Sequence, residues 1–319
     1  MRALITGGAG FIGSHLADRL VERGDEVILL DNLSTGRHAN IQHLLGRADV
    51  EFVLGSILNA DLVDDLVSRC DVVYHLAAAV GVELIVEKPL ESLQTNIRGS
   101  EIVFEKAHKY FKRILVTSTS EIYGKNVSDQ LHEDDDRILG SPLKSRWSYS
   151  EAKAIDEILA YTYWKQKGLP SVIVRLFNTV GPRQTGMYGM VIPRFVSQAI
   201  RGEPLTIFGD GQQTRCFCYV GDVVDALIDL SECEEAHGRV FNIGGNEEIS
   251  IADLAHRIIE VAGSTSKVRF VPYAEAYEEG FEDMQRRVPD TTRARETVGF
   301  EPRVGLDRVI ELVIEEQRS

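Results

Sequence analysis

Short β-branched runs alternate with helix-length amphipathic stretches from the start of the chain to about Phe177. Apolar runs of roughly four to eight residues, separated by stretches of about ten or more with apolar positions at i, i+3 and i+4, mark a parallel sheet wound by crossover helices. The strands read as Ala3–Thr6, Glu26–Leu30, Val50–Leu54, Val72–Leu76, Arg113–Ser118 and Ser171–Phe177. The helices among them read as Gly13–Arg23, Ala60–Ser68, Leu90–Tyr110 and Ser150–Lys167. Six strands with intervening helices predict an α/β fold with a doubly wound parallel sheet over residues 1–177. Beyond Gly181-Pro182-Arg183 the rhythm breaks into shorter mixed elements, with turn signals at Gly209-Asp210-Gly211 and Gly244-Gly245-Asn246. Residues 178–319 therefore read mainly as a smaller C-terminal α/β domain that binds substrate, with segments near 215–245 returning to the sheet domain. Between a late strand, Val268–Val271, and the final helices, the acidic stretch Ala274 to Asp283 reads as a surface loop.

Length agrees with two joined units, since domains run to about 100–200 residues and the chain has 319. The 35 lysines and arginines stand against 49 aspartates and glutamates, a net charge of −14. That field repels polyanions, so binding of nucleic acid or an anionic membrane by the whole surface is excluded, while a basic pocket for one small anion is not. Hydrophobic residues at 44% and charged ones at 26% suit a chain that builds a core. No apolar run approaches the roughly 20 residues of a membrane span. The opening Met1-Arg2-Ala3-Leu4-Ile5-Thr6 leads into glycines rather than a signal-peptide core, so a cytoplasmic location is expected. Cys70, Cys216, Cys218 and Cys233 are irregularly spaced, and Cys216-Phe217-Cys218 has the wrong interval for a zinc knuckle; reduced thiols and no metal site are expected.

Chemistry enters at the first strand-to-helix junction, Thr6-Gly7-Gly8-Ala9-Gly10-Phe11-Ile12-Gly13. Gly7 permits the tight turn, Gly10 lets backbone N–H groups approach a pyrophosphate, and Gly13 allows the helix to pack closely. A plain turn would explain glycines elsewhere; at this junction dinucleotide binding explains them better. Asp31 ends the second strand, where a carboxylate accepts from adenosine ribose hydroxyls, which favours NAD over its phosphorylated form. The bland alternative is an aspartate capping the turn Asn32–Gly36. Arg37 lies nearby and tempers the preference for NAD. Ala77-Ala78-Ala79 after the fourth strand lets backbone pass close to a cofactor.

Tyr149 and Lys153 stand one helical turn apart on one face. A phenol, with a reference pKa of about 10, acts as a base near neutrality only if positive charge stabilises its phenolate, and a lysine supplies that charge. Ser118-Thr119-Ser120-Glu121 lies at the C-terminal end of the fifth strand, the edge on which open α/β sheets bind ligands. Hydroxyls there orient a sugar, and a carboxylate beside a substrate needs a task or a partner.

The stretches TGGAGFIG, DNLSTGR, HLAA, STSEIYG, YSEAK, RLFNTVGPR, GEPLTIFGDGQQTRCF, NIGG and RRVPD together resemble the extended short-chain dehydrogenases/reductases of the NAD-dependent nucleotide-sugar epimerase, dehydratase and decarboxylase group, over essentially the whole length. The resemblance implies a Rossmann fold, bound NAD and transient oxidation at sugar C4. It implies Thr119, Tyr149 and Lys153 as the catalytic triad, with Glu121 as a fourth catalytic group. It implies a cofactor site of Gly7, Gly10, Phe11, Ile12, Gly13, Asp31, Asn32, Ser34, Thr35, Gly36, Leu76, Ala77 and Ala78 beside Tyr149 and Lys153. Substrate falls to Ser120, Asn178, Arg183, Arg215 and Arg287, and two helices per subunit, around Leu90–Tyr110 and Ser150–Lys167, imply a homodimer.

Within that group, STSEIYG, the RWSY run Arg146–Tyr149, the TRCF run Thr214–Phe217 and GFEDMQRRVPD resemble UDP-glucuronate decarboxylases, in which the equivalents of Ser120, Glu121 and Arg287 serve decarboxylation. For Arg287 a diphosphate contact, as in many epimerases, is an equal alternative. The chain departs from the pattern in places. Gly55-Ser56-Ile57 lacks the aspartate that often contacts adenine, Phe281 replaces a tyrosine, and Thr185 stands where uronate 4-epimerases carry an arginine. The expected activity is an NAD-dependent UDP-glucuronate decarboxylase. A UDP-sugar 4-epimerase is the alternative, with a 4,6-dehydratase or a non-catalytic NAD sensor behind it.

Overall fold

The computed structural model describes residues 1–79, 89–144, 147–186, 190–272, 275 and 284–318. Arg146, Phe281 and most of the Ala274–Asp283 stretch lie outside the described residues. The N-terminal half alternates β1 (Arg2–Thr6), α1 (Phe11–Glu22), β2 (Glu26–Asp31), β3 (Val50–Leu54), α2 (Ala60–Ser68), β4 (Val72–His75), α3 (Pro89–Lys109), β5 (Arg113–Thr119), α4 (Ser148–Lys167) and β6 (Ser171–Leu176). The rest runs β7 (Thr179–Val180), α5 (Val191–Ile200), β8 (Leu205–Phe208), β9 (Thr214–Cys216), β10 (Cys218–Tyr219), α6 (Val220–Glu232), β11 (Val240–Ile243), β12 (Glu248–Ser250), α7 (Ile251–Ala262), β13 (Val268–Val271), β14 (Arg286–Arg287), α8 (Thr292–Val298) and α9 (Leu306–Arg318).

Among the described residues, seven strands form one sheet in the order β11-β6-β5-β4-β1-β2-β3, every pairing parallel. The six strands expected from the pattern are all present. The seventh, Val240–Ile243, joins the β6 edge from far along the chain. Both faces of the sheet are buried, because side chains alternate along each strand and helices cover both sides. Ala3 and Ile5 of β1 pack with Leu16 and Leu20 of α1 and Val223 and Leu227 of α6. Leu4 points the other way, toward Val103 and Phe104 of α3. A third apolar cluster, with Phe195, Ile207, Leu254 and Ile310, lies between α5, β8, α7 and α9. Beside it, β12, β9 and β14 make a small mixed sheet. Among the described residues no helix is long and apolar enough to cross a membrane.

The strand order reverses between β1 and β4, and the crevice at their carboxyl ends is where doubly wound sheets bind ligands.

Candidate active site

A cleft of about 660 Å³ opens at that edge, lined by the segments that follow β1, β2, β4, β5 and β6 and by residues of α5, β8, β9 and β14. Small-molecule sites run to about 300–1,000 Å³, so the volume suits a ligand of that class.

Gly7 turns with φ +74° and its N–H donates to the Leu30 carbonyl at 2.8 Å. A Cβ on Gly7 would meet the Ala77 nitrogen at 3.0 Å, and one on Gly13 would meet the Gly7 oxygen at 2.2 Å. The two glycines thus bring the loop against the β4 end and the first turn of α1 against the loop. Gly10 caps α1 with no side-chain bond, and the N–H groups of Phe11, Ile12 and Gly13 belong to the first turn, outside the intrahelical ladder. They face the cleft where a pyrophosphate would sit. The helix starts at Phe11, two residues ahead of the expected Gly13.

Asp31 is buried at the β2 end, and its carboxylate accepts from Leu33 N at 2.7 Å and Ala9 N at 2.9 Å. Burial pushes its carboxyl above the ordinary value, against the pull of the backbone N–H donors of Leu33, Ala9 and Gly10. It therefore caps the turn and also lines the cleft with Asn32, Ser34 and Thr35. Gly36 does not line the cleft; it packs behind, where a Cβ would stand 2.8 Å from the Asp31 carboxylate oxygens. A carboxylate at the strand end, an uncapped helix start and backbone kept bare by glycine together fit the ribose and pyrophosphate of a dinucleotide.

Leu76, Ala77 and Ala78 form the opposite wall. Ala77 N donates to Thr6 Oγ1 at 3.2 Å, and Asn96, 1% exposed on α3, brackets Ala79 by accepting its N–H at 2.7 Å and donating to its carbonyl at 3.2 Å. Asn96 was not among the residues expected from the sequence.

Thr119, Ser120, Glu121 and Tyr149 meet at the β5 end, and all four line the cleft. Thr119 Oγ1 accepts from Glu121 N at 3.2 Å, and Ser150 Oγ donates to the Glu121 carbonyl at 2.9 Å, which ties the β5 end to the first turn of α4. Burial, then the charges of Glu121 and Asp156, push the Tyr149 phenol above its ordinary range. Lys153 is buried beneath the cleft rather than lining it, and its ammonium donates to Asp156 at 3.0 Å.

Asn178, Arg183, Arg215 and Arg287, expected to contact substrate, line the same cleft. Asn178 Nδ2 donates to the Cys216 carbonyl at 3.0 Å. Arg183, with φ +67°, pairs with Asp18 at 2.7 Å, and its N–H donates to Glu316. Arg287 pairs in register with Arg215 across β14 and β9, and both are under 10% exposed. The side chain before it, Arg286, turns to the surface and grips Glu248 at 2.7 and 2.8 Å. Arg287 lies 3.4 Å from Ser120 Oγ and 3.8 Å from Glu121 Oε1. Like charges side by side on adjacent strands repel. Two inward guanidiniums in register therefore suit a dianionic or polyanionic ligand. The cleft is also lined by Glu91, Thr95, Arg194, Phe208, Gln213 and Phe217, which single-residue reading missed although GEPLTIFGDGQQTRCF contains three of them.

A family model described as GDP-mannose 4,6 dehydratase matches residues 4–313. The UDP-N-acetyl-alpha-D-glucosaminuronate decarboxylase of Bacillus cytotoxicus is 42% identical over 315 residues, 98% of this chain and 97% of that protein. The UDP-glucuronic acid decarboxylase 1 of Xenopus tropicalis is 37% identical over 308 residues, 96% of this chain and 69% of that protein. Among solved structures, the UDP-glucuronic acid 4-epimerase of Bacillus cereus, in complex with UDP-glucuronic acid and NAD, superposes with a TM-score of 0.90 at 31% identity, covering 100% of this chain and 99% of that one. The UDP-glucose 4-epimerase of Thermotoga maritima gives 0.89 at 33%, with the same coverage. The chain belongs to the GDP-mannose 4,6-dehydratase family, within the nucleotide-sugar epimerase, dehydratase and decarboxylase group of extended short-chain dehydrogenases/reductases.

Proposed function

We propose that the protein is an NAD-dependent decarboxylase of UDP-glucuronate that works through transient oxidation at sugar C4. The observation that carries the reading is the in-register pair Arg215 and Arg287, with Arg287 against Ser120 and Glu121 in the same cleft as Tyr149. One guanidinium serves the diphosphate and leaves the other for a carboxylate. The decarboxylase relatives, matched over nearly the whole chain, support the same assignment.

Residues 1–177 with the returning β11 hold the dinucleotide, and residues 178–319 supply most of the sugar-nucleotide side. The glycine turn and Asp31 would hold NAD, which when bound would supply the acceptor and donor of the C4 hydride. Tyr149 takes the O4 proton, with Thr119 orienting that hydroxyl and Lys153 providing positive charge beneath. With C4 a ketone, the C5 carboxylate belongs to a β-keto acid. The bond from C5 to the carboxylate breaks, carbon dioxide leaves, and the electron pair forms an enolate that takes a proton at C5 from water. Arg287 holds the carboxylate in place, and Glu121 positions the water or the O4 hydroxyl beside it. Tyr149 finally gives its proton back to O4.

The curated relative at 42% identity favours a second reading, in which the uronate carries a 2-acetamido group. Epimerisation fits less well, because Thr185 stands where uronate 4-epimerases carry arginine, and it accepts from Arg37 at 3.1 Å. Ile155, Ile158, Tyr161 and Trp164 leave a partly exposed apolar stripe along α4, which supports a homodimer through α3 and α4. Four free cysteines suit a reducing cytoplasm.

The test is incubation of the purified protein and NAD with UDP-glucuronate, its 2-acetamido analogue and UDP-glucose. Carbon dioxide and a UDP-pentose or its 4-keto form are expected from UDP-glucuronate. Inversion at C4 without carbon dioxide, or no turnover of either uronate, would overturn the assignment.

A further inference from the structure

Beneath the cleft a buried charge stands without a task in that chemistry. Asp156 is fully buried on α4, three residues beyond Lys153, and accepts from its ammonium at 3.0 Å. A buried carboxylate is costly unless paired, and this pair lies a single turn from the phenol that lines the cleft. Among the described residues, the groups around it add no second cation that is not already paired. From β4, His75 sits between Thr6 Oγ1 at 2.8 Å and Ser100 Oγ at 2.9 Å, and burial, aided by Lys153, pushes it down to about 3, so the ring is neutral. From α3, Ser100 also helps to stabilise the Asp156 carboxylate. From the turn after β5, Glu121 adds negative charge near Tyr149. From β6, Arg175 is taken up by Glu157 in a fork of 2.9 and 2.8 Å. The Asp156 carboxylate thus ties up the Lys153 ammonium at 3.0 Å and, with Glu121, opposes a phenolate at Tyr149.

We propose that Asp156 is a positioning residue: it anchors Lys153 beneath the cleft and holds back ionisation of Tyr149 in the free protein, so that the phenolate forms in step with the arrival of a positively charged ring. The proposal rests on the assignment of Tyr149 and Lys153 as base and cation. It differs from a purely structural role because the carboxylate charge, and not only its shape, sets the titration of another residue.

Phenolate absorbance of the full-length protein is titrated with and without NAD in wild type and Asp156→Asn, with the matching Tyr149→Phe traces subtracted. With NAD present, Asp156→Asn is expected to lower the Tyr149 transition by about one pH unit, tenfold more phenolate at a given pH, and the acid limb of kcat/KM should follow. Asp156→Glu, which keeps the charge, should titrate like wild type. An unmoved or raised transition in an Asp156→Asn protein that folds and binds NAD overturns the proposal. Wild type provides an arm that needs no variant: Tyr149 should ionise at least about one pH unit lower with NAD than without, and equal transitions sink the proposal. If wild type releases no carbon dioxide from either uronate, the functional assignment falls; if it does and the titrations fail, the role of Asp156 alone falls.

Discussion

A methyl group at position 13 would collide with backbone on every side that matters. Its carbon would stand 2.2 Å from the Gly7 oxygen and 3.0 Å from both the Gly7 carbonyl carbon and the Gly8 Cα, where ordinary contact begins at 3.4 Å. Gly13→Ala therefore asks the first turn of α1 and the Gly7–Gly10 loop to part by about 1.2 Å. The loop cannot retreat freely, because Gly7 is bonded to Leu30 at 2.8 Å and packs against Ala77. Overpacking of this kind costs about 1–3 kcal/mol of stability. Binding suffers separately. A shift of that size takes an N–H···O bond from about 2.9 Å to about 4 Å, which is no longer a bond. Each hydrogen bond to a charged group contributes about 1.5–3 kcal/mol, so losing one or two from the pyrophosphate weakens NAD by roughly a hundredfold. Calorimetric titration with NAD measures this directly. Gly24→Ala is the control: it lies just past the other end of α1, at φ +88° with nothing within 4 Å of its Cβ, so it should lose about 1 kcal/mol to backbone strain and keep its NAD affinity. A Gly13→Ala protein whose Kd stays within about threefold of wild type would refute a pyrophosphate at this helix start.

Two further changes separate the halves of the cleft. Arg287→Gln keeps a donor beside Ser120 and Glu121 but removes the charge; a charge-assisted contact of about 1.5–3 kcal/mol predicts a loss of roughly 10- to 150-fold in kcat/KM for carbon dioxide release, with NAD affinity unchanged. An equal loss of affinity for UDP-glucose, which has no carboxylate, would reassign Arg287 to the diphosphate. Asp31 gives a pH signature: its carboxyl is raised by burial and ribose hydroxyls favour the ionised form, so NAD affinity is full above that raised value and falls as pH drops through it, about tenfold per unit. Asp31→Asn should bind more weakly near neutrality and show no such fall; a flat wild-type profile in calorimetry would contradict the ribose contact.

What the sequence made legible was whatever sits within one element or one junction. β1 to β6 and the helices between them follow from apolar runs and i, i+3, i+4 spacing, since every strand but the edge strand β3 is buried on both faces and the helices pack one face against them. Gly7, Gly10 and Gly13 act through backbone a few residues apart, and their meaning is local. β11 was legible only as part of a segment near 215–245 that returns to the sheet domain, because four residues, Val240–Ile243, carry too little pattern to declare a partner 67 positions away at Ile173. The same reason hid Asn96 on Ala79, the Arg175 fork on Glu157, and the register that sets Arg215 beside Arg287. Lys153 was legible as a neighbour of Tyr149 but not as a buried ion, because helical spacing gives the face and not the depth.

The cleft draws on segments far apart in the chain, yet decarboxylation needs the carboxylate held steady relative to C4, and one largely buried network meets that demand. Arg175 on β6 forks Glu157 of α4, and the same Glu157 accepts from Ser118 Oγ at 2.6 Å at the β5 end. The third guanidinium nitrogen of Arg175 donates to Tyr123 Oη at 3.0 Å and to the Glu133 carbonyl at 2.9 Å. Tyr123 donates to Asn242 on β11 at 2.7 Å, and Asn242 donates in turn to the carbonyls of Leu131 and Asp290. Asp290 stands three residues beyond Arg287. The helix that carries Tyr149, the strand end that carries Thr119 and the segment that carries Arg287 are thus joined through polar contacts that are buried or half-buried. Networks of this kind are costly when partly satisfied, so they hold a single arrangement where apolar packing would tolerate several. A shift of about 1 Å between a catalytic group and its substrate is enough to cost about a hundredfold in rate. α4 places the phenol, β14 places the guanidinium, and the polar bonds that link their surroundings keep the distance between them from drifting.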